Sequence, residues 1–501
     1  MDLKSARAAL IEMQEKSSAY SHAMGLINYD GQTTAPSGTA ANRAHTLGIL
    51  STEVYKMATS PERIEVLEFL DAHKDELDER EKRMVYLLLK SVRFMQKIPM
   101  DEYIAYRKLI VESGDTWKKA KVNNDFESFR PYLERIFATV KKFAAYVEPE
   151  KDPYDFWLNE FEEGLDMATC EKFFGEVRER LVPLLQKVAE KPQVDDSCIR
   201  GDFCERRQEE LALYLMDAIG IDKEHVGLST TEHPFTTSLG SHFDGRITTH
   251  YYRENVAYSM FSVIHEGGHA LYNWGSADDL AYTALDGGVS MAVHESQSRF
   301  YENIIGRNKA FIELIFPKVK EIFPEKFENV TADEFYKAVN KVTPSLIRTE
   351  ADEATYSLHV LIRYELEKKL FHDEIEVKDL PAEWNRLYKE YLGVDVPDDT
   401  RGVLQDTHWS SGLIGYFPSY AIGSAYGAQF LQKMKEDIDV DACIASGDLT
   451  PINEWNREHI WKYGSSKTPS EVLEIALGGE PFSTEYYIDY LTKKLTEIYG
   501  L

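Results

Sequence analysis

The stretch Met260-Phe-Ser-Val-Ile-His265-Glu266-Gly267-Gly268-His269-Ala-Leu-Tyr-Asn273 contains the pattern His-Glu-x-x-His (HEXXH). Residues four apart lie on one face of an α-helix, so the imidazoles of His265 and His269 project together. They can occupy two corners of a tetrahedral zinc site, with the carboxylate of Glu266 placed to handle a proton. With 14 His and 85 Asp plus Glu in 501 residues, a His-acid-x-x-His match is expected about 0.07 times by chance. The match therefore favours a metal site over two core histidines that are hydrogen-bonded to backbone.

Two glycines, Gly267 and Gly268, separate these histidines. Each glycine inside a helix costs roughly 1 kcal/mol relative to alanine. Their presence predicts that a neighbouring helix or a substrate comes close to the helix backbone. The surrounding residues predict a buried helix, because they are apolar at Val256, Met260, Val263, Ile264, Ala270 and Leu271.

A third ligand is predicted on the next helix, which Ser290 can cap and which runs to about Ile305 before Gly306 stops it. Glu295 lies in the middle of this apolar segment, where a carboxylate needs a partner such as a metal. Two His and one Glu form the ligand set of the thermolysin type, which leaves the fourth position open for water. His294 is the rival ligand. Because adjacent helical residues point about 100° apart, only one of the two should face the metal, and we choose Glu295.

Further motifs accompany this pattern along the chain. In order they are His233-Pro234-Phe235, Asp244-Gly-Arg246-Ile-Thr248, His265-Glu266-Gly-Gly-His269, His294-Glu295-Ser296-Gln297, Ile347-Arg348-Thr-Glu-Ala351-Asp352 and Gly402-Val-Leu-Gln405-Asp406-Thr-His408-Trp409. Together they resemble the signatures of the carboxypeptidase Taq family of zinc metallocarboxypeptidases, over essentially the whole chain. The resemblance implies a mostly α-helical, single large body with a long substrate groove, similar in shape to neurolysin and angiotensin-converting enzyme.

We expect one metallocarboxypeptidase domain over residues 1–501. Within it, residues 1–225 form a mainly helical wall of the groove, 226–430 the catalytic core, and 431–501 terminal helices. Residues 227–252 are rich in Thr, Ser, Phe and Tyr with glycine turn signals, which predicts a β-hairpin or short sheet beside the zinc helix. The resemblance implies that an edge strand there pairs with an extended peptide substrate.

The resemblance also implies the reaction, which is release of C-terminal amino acids from peptides by metal-activated water attack. One divalent metal per chain is expected on His265, His269 and Glu295, with zinc as first choice and cobalt as a possible substitute. In related peptidases a His and a Tyr donate hydrogen bonds to the oxyanion, so His408 and Tyr420 join Glu266 as catalytic candidates. Tyr420 has a second interpretation, as a core aromatic residue with a satisfied hydroxyl.

Arg348 is the first candidate for holding the substrate carboxylate, because its planar paired donors match a carboxylate. It is predicted to lie on a long helix opened by Pro344-Ser345 and ending near Leu370. Asp352 is four residues further along that helix, so a simple Arg348–Asp352 pair is the alternative. The resemblance favours the substrate role, with further substrate-binding candidates at Arg246, His233 and Gln405.

Composition limits the partners. The net charge of −28 excludes ready binding to nucleic acid or anionic membrane, and no apolar run approaches the roughly 20 residues that span a bilayer. Four cysteines without metal-ligand spacing predict free thiols and a cytoplasmic protein. The resemblance implies peptide substrates with a free C-terminus and a homodimer.

Two other functions remain open at this point. A zinc endopeptidase or dipeptidase would share the metal chemistry and differ in how it binds the substrate. A catalytically inactive helical protein would use zinc only as a structural staple. Glu266 argues against the inactive protein, because a residue that is not a ligand has no purpose in a structural site.

Overall fold

The N-terminal part of the chain folds into helices, most of which begin at a polar capping residue. Asp78, for example, accepts from the backbone N–H of Glu81, whose side chain accepts in return from the N–H of Asp78. The computed structural model describes all residues 1–501. Its first nine helices are α1 (Leu3–Thr33), α2 (Ala40–Ala58), α3 (Pro61–Ala72), α4 (Glu79–Lys97), α5 (Met100–Asn123), α6 (Phe126–Val147), α7 (Pro153–Phe161), α8 (Met167–Ala189) and α9 (Glu205–Ala218).

A small sheet follows α9, where the sequence predicts a hairpin or short sheet. Its strands are β1 (Val226–Thr230), β2 (Thr236–Ser238) and β3 (Gly245–Thr249), in the order β1-β3-β2. β2 and β3 form an antiparallel hairpin, whereas β1 lies parallel to β3 on its other side. β2 is therefore an edge strand, with one side free of strand pairing.

The helix with the His-Glu-x-x-His pattern, α10 (Val256–Trp274), lies against this sheet and is largely buried. The next helix, α11 (Met291–Arg299), is capped by Ser290 as predicted and continues as a π-helical segment to Gly306. The glycine at 268 allows α10 and α11 to touch, since a Cβ there would lie 2.7 Å from the carbonyl oxygen of Gln297. A neighbouring helix therefore explains this glycine.

The remaining helices complete the body behind α10 and α11. They are α12 (Lys309–Ile322), α13 (Pro324–Phe327), α14 (Ala332–Val339), α15 (Glu353–Phe371), α16 (Leu380–Leu392), α17 (Pro418–Asp437), α18 (Val440–Ser446), α19 (Thr450–His459), α20 (Pro469–Ala476) and α21 (Glu485–Tyr499). α17 packs closely on α11, because a Cβ at Gly423 would lie 2.7 Å from the carbonyl oxygen of Ala292. None of these or the earlier helices has the length and apolar character to cross a membrane.

The helix predicted to open at Pro344-Ser345 begins later, at Glu353. Asp352 is its N-cap and accepts hydrogen bonds from the backbone N–H groups of Ala354 and Thr355, both at 3.0 Å. Because the capping aspartate satisfies the first free N–H groups, the helix begins there. The preceding residues include one 3₁₀ turn, at Arg348–Glu350. The prediction of a single helix from 344 to 370 was wrong at its start.

The buried apolar residues form two separate cores. The larger contains 101 residues and runs from Leu109 to Tyr499, so it draws on all three of the predicted segments. The smaller contains eight residues, from α1, α3, α4 and the turn before α4. Helices α1, α3 and α4 therefore share a small core of their own, separate from the main one. All four cysteines are free, as expected.

Candidate metal centre

Three side chains from α10 and α11 converge as the sequence predicts. His265, His269 and Glu295 each offer a ligand atom, and these atoms lie within 4.8 Å of one another. The Nε2 atoms of His265 and His269 are 3.9 and 3.6 Å from Oε2 of Glu295. Two imidazoles and a carboxylate whose donor atoms face one point form a donor set that fits zinc or a similar divalent metal.

The first histidine is oriented by a carboxylate behind it. Nδ1 of His265 lies 2.9 Å from Oε2 of Glu302. Arg299 donates to the same oxygen, and Arg307 donates to the other oxygen, Oε1. Burial acts to raise the pKa of Glu302, but the two arginines and His265 outweigh it and hold that pKa far below its usual range. The charged carboxylate accepts the Nδ1 proton of His265, so the Nε2 lone pair is left for a metal.

The second histidine is oriented by another histidine. Nδ1 of His269 lies 2.8 Å from Nδ1 of His294, whose Nε2 lies 3.0 Å from Oδ1 of Asn273. Burial lowers the pKa of His294 to about 4, so its ring is neutral at neutral pH. Because the Asn273 oxygen can only accept, the His294 proton is on Nε2, and its Nδ1 accepts the proton of His269. The rival ligand His294 thus has both ring nitrogens engaged and supports His269 from behind.

Replacing Asn273 with leucine should lower metal affinity about 10- to 100-fold. Without the amide acceptor, His294 is free to place its proton on Nδ1, where it opposes the Nδ1 proton of His269. Competition against a chromophoric chelator measures the affinity directly. Asn273→Asp is the matched control, because it keeps an acceptor at the same position and should bind metal nearly as well. Equal affinity for the leucine variant and the unmodified protein would contradict this orientation of His269.

Glu266 lies beside the three candidate ligands and points towards the sheet. Its side chain is buried, and its Oε2 accepts a 2.6 Å hydrogen bond from the hydroxyl of Thr236 on edge strand β2. Burial raises the pKa of the Glu266 carboxyl, which makes it a stronger base. The residue predicted to handle a proton is therefore held between α10 and the edge strand.

Arg348 is buried and pairs with Asp406 rather than with Asp352. Its Nε and Nη2 lie 3.1 and 2.9 Å from Oδ1 of Asp406, while Nη1 donates to the hydroxyl of Tyr356 at 3.0 Å. Asp352 caps α15 instead, because Arg348 precedes that helix and the two residues do not share a helical face. The alternative of an Arg348–Asp352 pair was wrong.

Asp406 is shared between two arginines. Arg363 Nε donates to its other oxygen at 2.7 Å. Burial acts to raise the pKa of Asp406, but Arg348 and Arg363 dominate and depress that pKa strongly. Two guanidinium groups facing one carboxylate leave one positive charge in excess, in a buried place where a further carboxylate would be attracted.

Gln405 braces this cluster through both ends of its amide. Its Oε1 accepts from the backbone N–H of Arg348 at 2.9 Å and from Arg363 at 2.8 Å, and its Nε2 donates to the carbonyl oxygens of Leu346 and Arg401, both at 2.9 Å. These contacts favour an indirect role for Gln405, in which it positions Arg348.

His408 and Tyr420, which the resemblance to related peptidases suggests as hydrogen-bond donors, lie in contact with each other. Nε2 of His408 is 3.1 Å from the hydroxyl of Tyr420, and the Arg348 guanidinium lies over the Tyr420 ring at 4.8 Å. Burial lowers the pKa of His408 to about 3 and raises that of Tyr420, so both are neutral at neutral pH. A protonated tyrosine hydroxyl in this position is a hydrogen-bond donor. The ring of Tyr416, which the sequence did not single out, lies beside that of Tyr420, with 5.1 Å between their centroids.

The other two substrate-binding candidates lie at the sheet. Arg246 on β3 forms a paired salt bridge with Asp244, with Nε–Oδ1 at 2.7 Å and Nη2–Oδ2 at 3.2 Å. His233 is exposed on the loop before β2. Neither residue joins the Arg348 cluster, and the guanidinium of Arg246 is already matched by a carboxylate.

Arg299 and Tyr356, which the sequence did not single out, connect the group of candidate metal ligands with the Arg348–Asp406 cluster. Arg299 donates from Nε to Oε1 of Glu295 at 2.7 Å and stacks on the Tyr356 ring at 4.0 Å, and Tyr356 contacts Arg348. Arg299 and Glu302 follow Glu295 by four and seven residues, which places all three on one helical face. That spacing was a usable signal. No comparable local signal marks Asn273 or Thr236, which reach the site through tertiary packing.

The chain is similar to known proteins in both sequence and structure. Residues 9–495 match the family described as Carboxypeptidase Taq (M32) metallopeptidase. The chain is 39% identical to Carboxypeptidase 1 of Bacillus subtilis over the full length of both, and 36% identical to Thermostable carboxypeptidase 1 of Pyrococcus furiosus over 95% of each. It also superposes on the crystal structure of an M32 carboxypeptidase from Deinococcus radiodurans with a TM-score of 0.96 and 33% identity, over 99% of this chain and all of that one.

Proposed function

Because the chain belongs to the carboxypeptidase Taq (M32) family and is a metallocarboxypeptidase, we propose that His265, His269 and Glu295 hold its metal and that this metal is zinc. The observation that carries the proposal is the convergence of these three side chains next to Glu266, with Nδ1 of each histidine already engaged. When bound, such an ion polarises the scissile carbonyl and lowers the pKa of a water molecule. Cobalt is the substitute we expect to support activity.

Glu266 is the general base and acid in this proposal. Its buried carboxylate removes a proton from the attacking water and transfers it to the leaving amine. Thr236 fixes one oxygen of that carboxylate through a 2.6 Å hydrogen bond, so the other oxygen is available to the water. The hydroxyl of Tyr420, supported by His408, donates to the negative oxygen that develops on the cleaved carbonyl.

The edge of β2 binds the substrate backbone. β2 has one unpaired side and lies next to Glu266 through Thr236. An extended peptide paired there is held by main-chain hydrogen bonds that do not depend on its side chains. The groove thus formed, similar in shape to that of neurolysin and angiotensin-converting enzyme, belongs to one domain over residues 1–501.

Arg348 holds the terminal carboxylate, which makes the last peptide bond the one that is cleaved. The excess positive charge of Arg348 and Arg363 over Asp406 supports this role. Arg246 is the weaker candidate because Asp244 neutralises it. His233 contributes from the exposed loop before β2, and Gln405 acts by bracing Arg348.

Replacing Arg348 with alanine should lower kcat/KM on free-acid peptides by roughly ten- to a hundredfold, since a charge-assisted hydrogen bond contributes about 1.5–3 kcal/mol. Cleavage of the corresponding C-terminally amidated peptides, already slow, should change little. The ratio of the two rates is the readout, because it does not depend on the fraction of folded protein. Arg246→Ala is the matched control and should leave the ratio nearly unchanged.

A C-terminal digestion time course followed by mass spectrometry tests the function itself. Successive loss of single C-terminal residues from free-acid peptides, with amidated peptides cut far more slowly, is the expected result. Equal cleavage of both kinds by the unmodified enzyme would replace this proposal with the endopeptidase alternative. The homodimer and the cytoplasmic location remain predictions, which sedimentation velocity and cell fractionation test.

A further inference from the structure

A polar cavity of about 400 Å³ lies between the N-terminal helices and the segments that follow β2 and α10. Helices α1 and α3 form one wall, and Ser238, Asn273 and Asp286 contribute to the other. Only three of its sixteen lining residues are hydrophobic. Such a lining is suited to charged or hydrogen-bonding groups rather than to apolar side chains.

Arg63 contributes a positive charge without a carboxylate partner to this cavity. The one hydrogen bond of its guanidinium is long, 3.5 Å from Nη1 to the hydroxyl of Ser17, and its buried Nε has no partner. Burial alone lowers its pKa, and no nearby acid acts in the opposite direction. The chain has 85 acidic and 57 basic residues, so the lack of a carboxylate beside Arg63 does not reflect a shortage of acidic residues. A half-buried guanidinium without a carboxylate partner has the capacity to bind an anion.

The one carboxylate that lines the cavity is already matched. Asp286 accepts from the backbone N–H of His242 at 3.1 Å and lies 2.6 Å from its ring Nδ1. The hydroxyl of Ser238 is buried without a hydrogen-bond partner. The Asp286 carboxylate is thus engaged by His242, whereas the Arg63 guanidinium and the Ser238 hydroxyl can still donate to a ligand. The positive charge of Arg63 favours an anionic ligand over a cationic one.

The cavity and Arg348 reach the metal centre by different routes. Arg348 connects to the centre through Tyr356 and Arg299, on the side of Glu295. The cavity connects to it through Asn273 and His294, on the side of His269. If Arg348 holds the terminal carboxylate and the peptide continues along edge strand β2, the peptide approaches the cavity, because Thr236 of β2 contacts Glu266 and Ser238 of β2 lines the cavity.

The distance along this path is short. Asn273 follows His269 by four residues, which is about 6 Å along a helix axis, and Ser238 follows Thr236 by two residues on β2. An extended peptide advances roughly 3.3 Å per residue. We therefore expect a side chain located about two to four residues before the cleaved bond to reach the cavity.

We propose that this cavity is a specificity pocket for an acidic side chain of the substrate, with Arg63 as its charge partner. The inference rests on the proposed function, since it takes the direction of the peptide from Arg348. It adds a substrate class, namely peptides that carry Asp or Glu two to four residues before the cleaved bond. Ser17 and Ser238 offer hydroxyl donors to the same carboxylate.

The test compares N-acetylated, free-acid hexapeptides that differ at one position, with Glu, its neutral isostere Gln, or Lys at each of the third to fifth residues from the C-terminus. At one of these positions the Glu peptide should have a kcat/KM about tenfold higher, and added salt should reduce the difference. Arg63→Gln should bring the Glu/Gln ratio close to one, and Arg63→Glu should invert it. Arg107→Gln, at an exposed position on α5, removes the same charge elsewhere and should leave the ratio unchanged.

Each ratio is measured within one enzyme preparation, so partial misfolding of a variant does not affect it. The proposed specificity is contradicted if the Glu/Gln ratio of kcat/KM is one at every position in the unmodified enzyme, or if a higher ratio is unchanged in Arg63→Gln. A preference for Lys over Gln at these positions would show that Asp286, and not Arg63, determines the selectivity of the cavity, and would also contradict the proposal. Failure to release C-terminal residues from any peptide would instead contradict the proposed function.

Discussion

Replacement of Glu266 by glutamine is expected to lower kcat by about a hundred- to ten-thousandfold, the range typical of a lost general acid–base group. Glutamine has the same shape and can still accept the hydrogen bond from Thr236, but it cannot take a proton from water. KM and metal content should change little, because Glu266 is not among the three converging ligands. Steady-state kinetics and metal analysis on the same preparation measure both.

Glu313→Gln is the matched control, since it makes the same substitution at an exposed position on α12. It should retain full activity. Turnover close to that of the unmodified enzyme in a metal-loaded Glu266→Gln protein would remove Glu266 from the mechanism.

Removal of the metal is expected to abolish peptide release altogether. The three ligands lie on two helices that the main core holds together, so the apo-protein should keep its fold while losing the group that activates water. Dialysis against a chelator should take activity below detection, and stoichiometric zinc or cobalt should restore it. Magnesium should not, because it prefers six oxygen ligands to two imidazoles and one carboxylate.

Substitution of a ligand separates metal loss from damage by the chelator. His269→Ala should lower bound zinc, measured by elemental analysis, together with activity, while the circular dichroism spectrum stays that of a helical protein. Full activity after exhaustive metal removal would exclude the metal-dependent mechanism.

Much of the metal centre could be predicted from the sequence because its spacing is local. His265 and His269 share one helical turn, and the order of motifs placed Glu295 on the following helix. Ser290 was recognised as a cap for the same reason, since a cap depends on residues within one turn. The mostly helical fold likewise follows from local periodicity.

What could not be predicted depends on contacts between distant parts of the chain. Arg348 pairs with Asp406, 58 residues further on, and helical spacing instead indicated Asp352. Asn273 orients His269 only because α11 brings His294 between them. Arg63 is on a charged N-terminal helix, where the pattern resembles an ordinary solvated face, and the cavity beside it exists only in the folded protein.

The division of the buried residues into a core of 101 and a core of eight also bears on how the enzyme moves. Local unfolding costs least where few apolar contacts hold a segment. We therefore expect amide hydrogens in α1, α3 and α4 to exchange faster than those in α10 and α11. On this basis the wall that carries Arg63 opens at a lower free-energy cost than the helices that carry His265, His269 and Glu295.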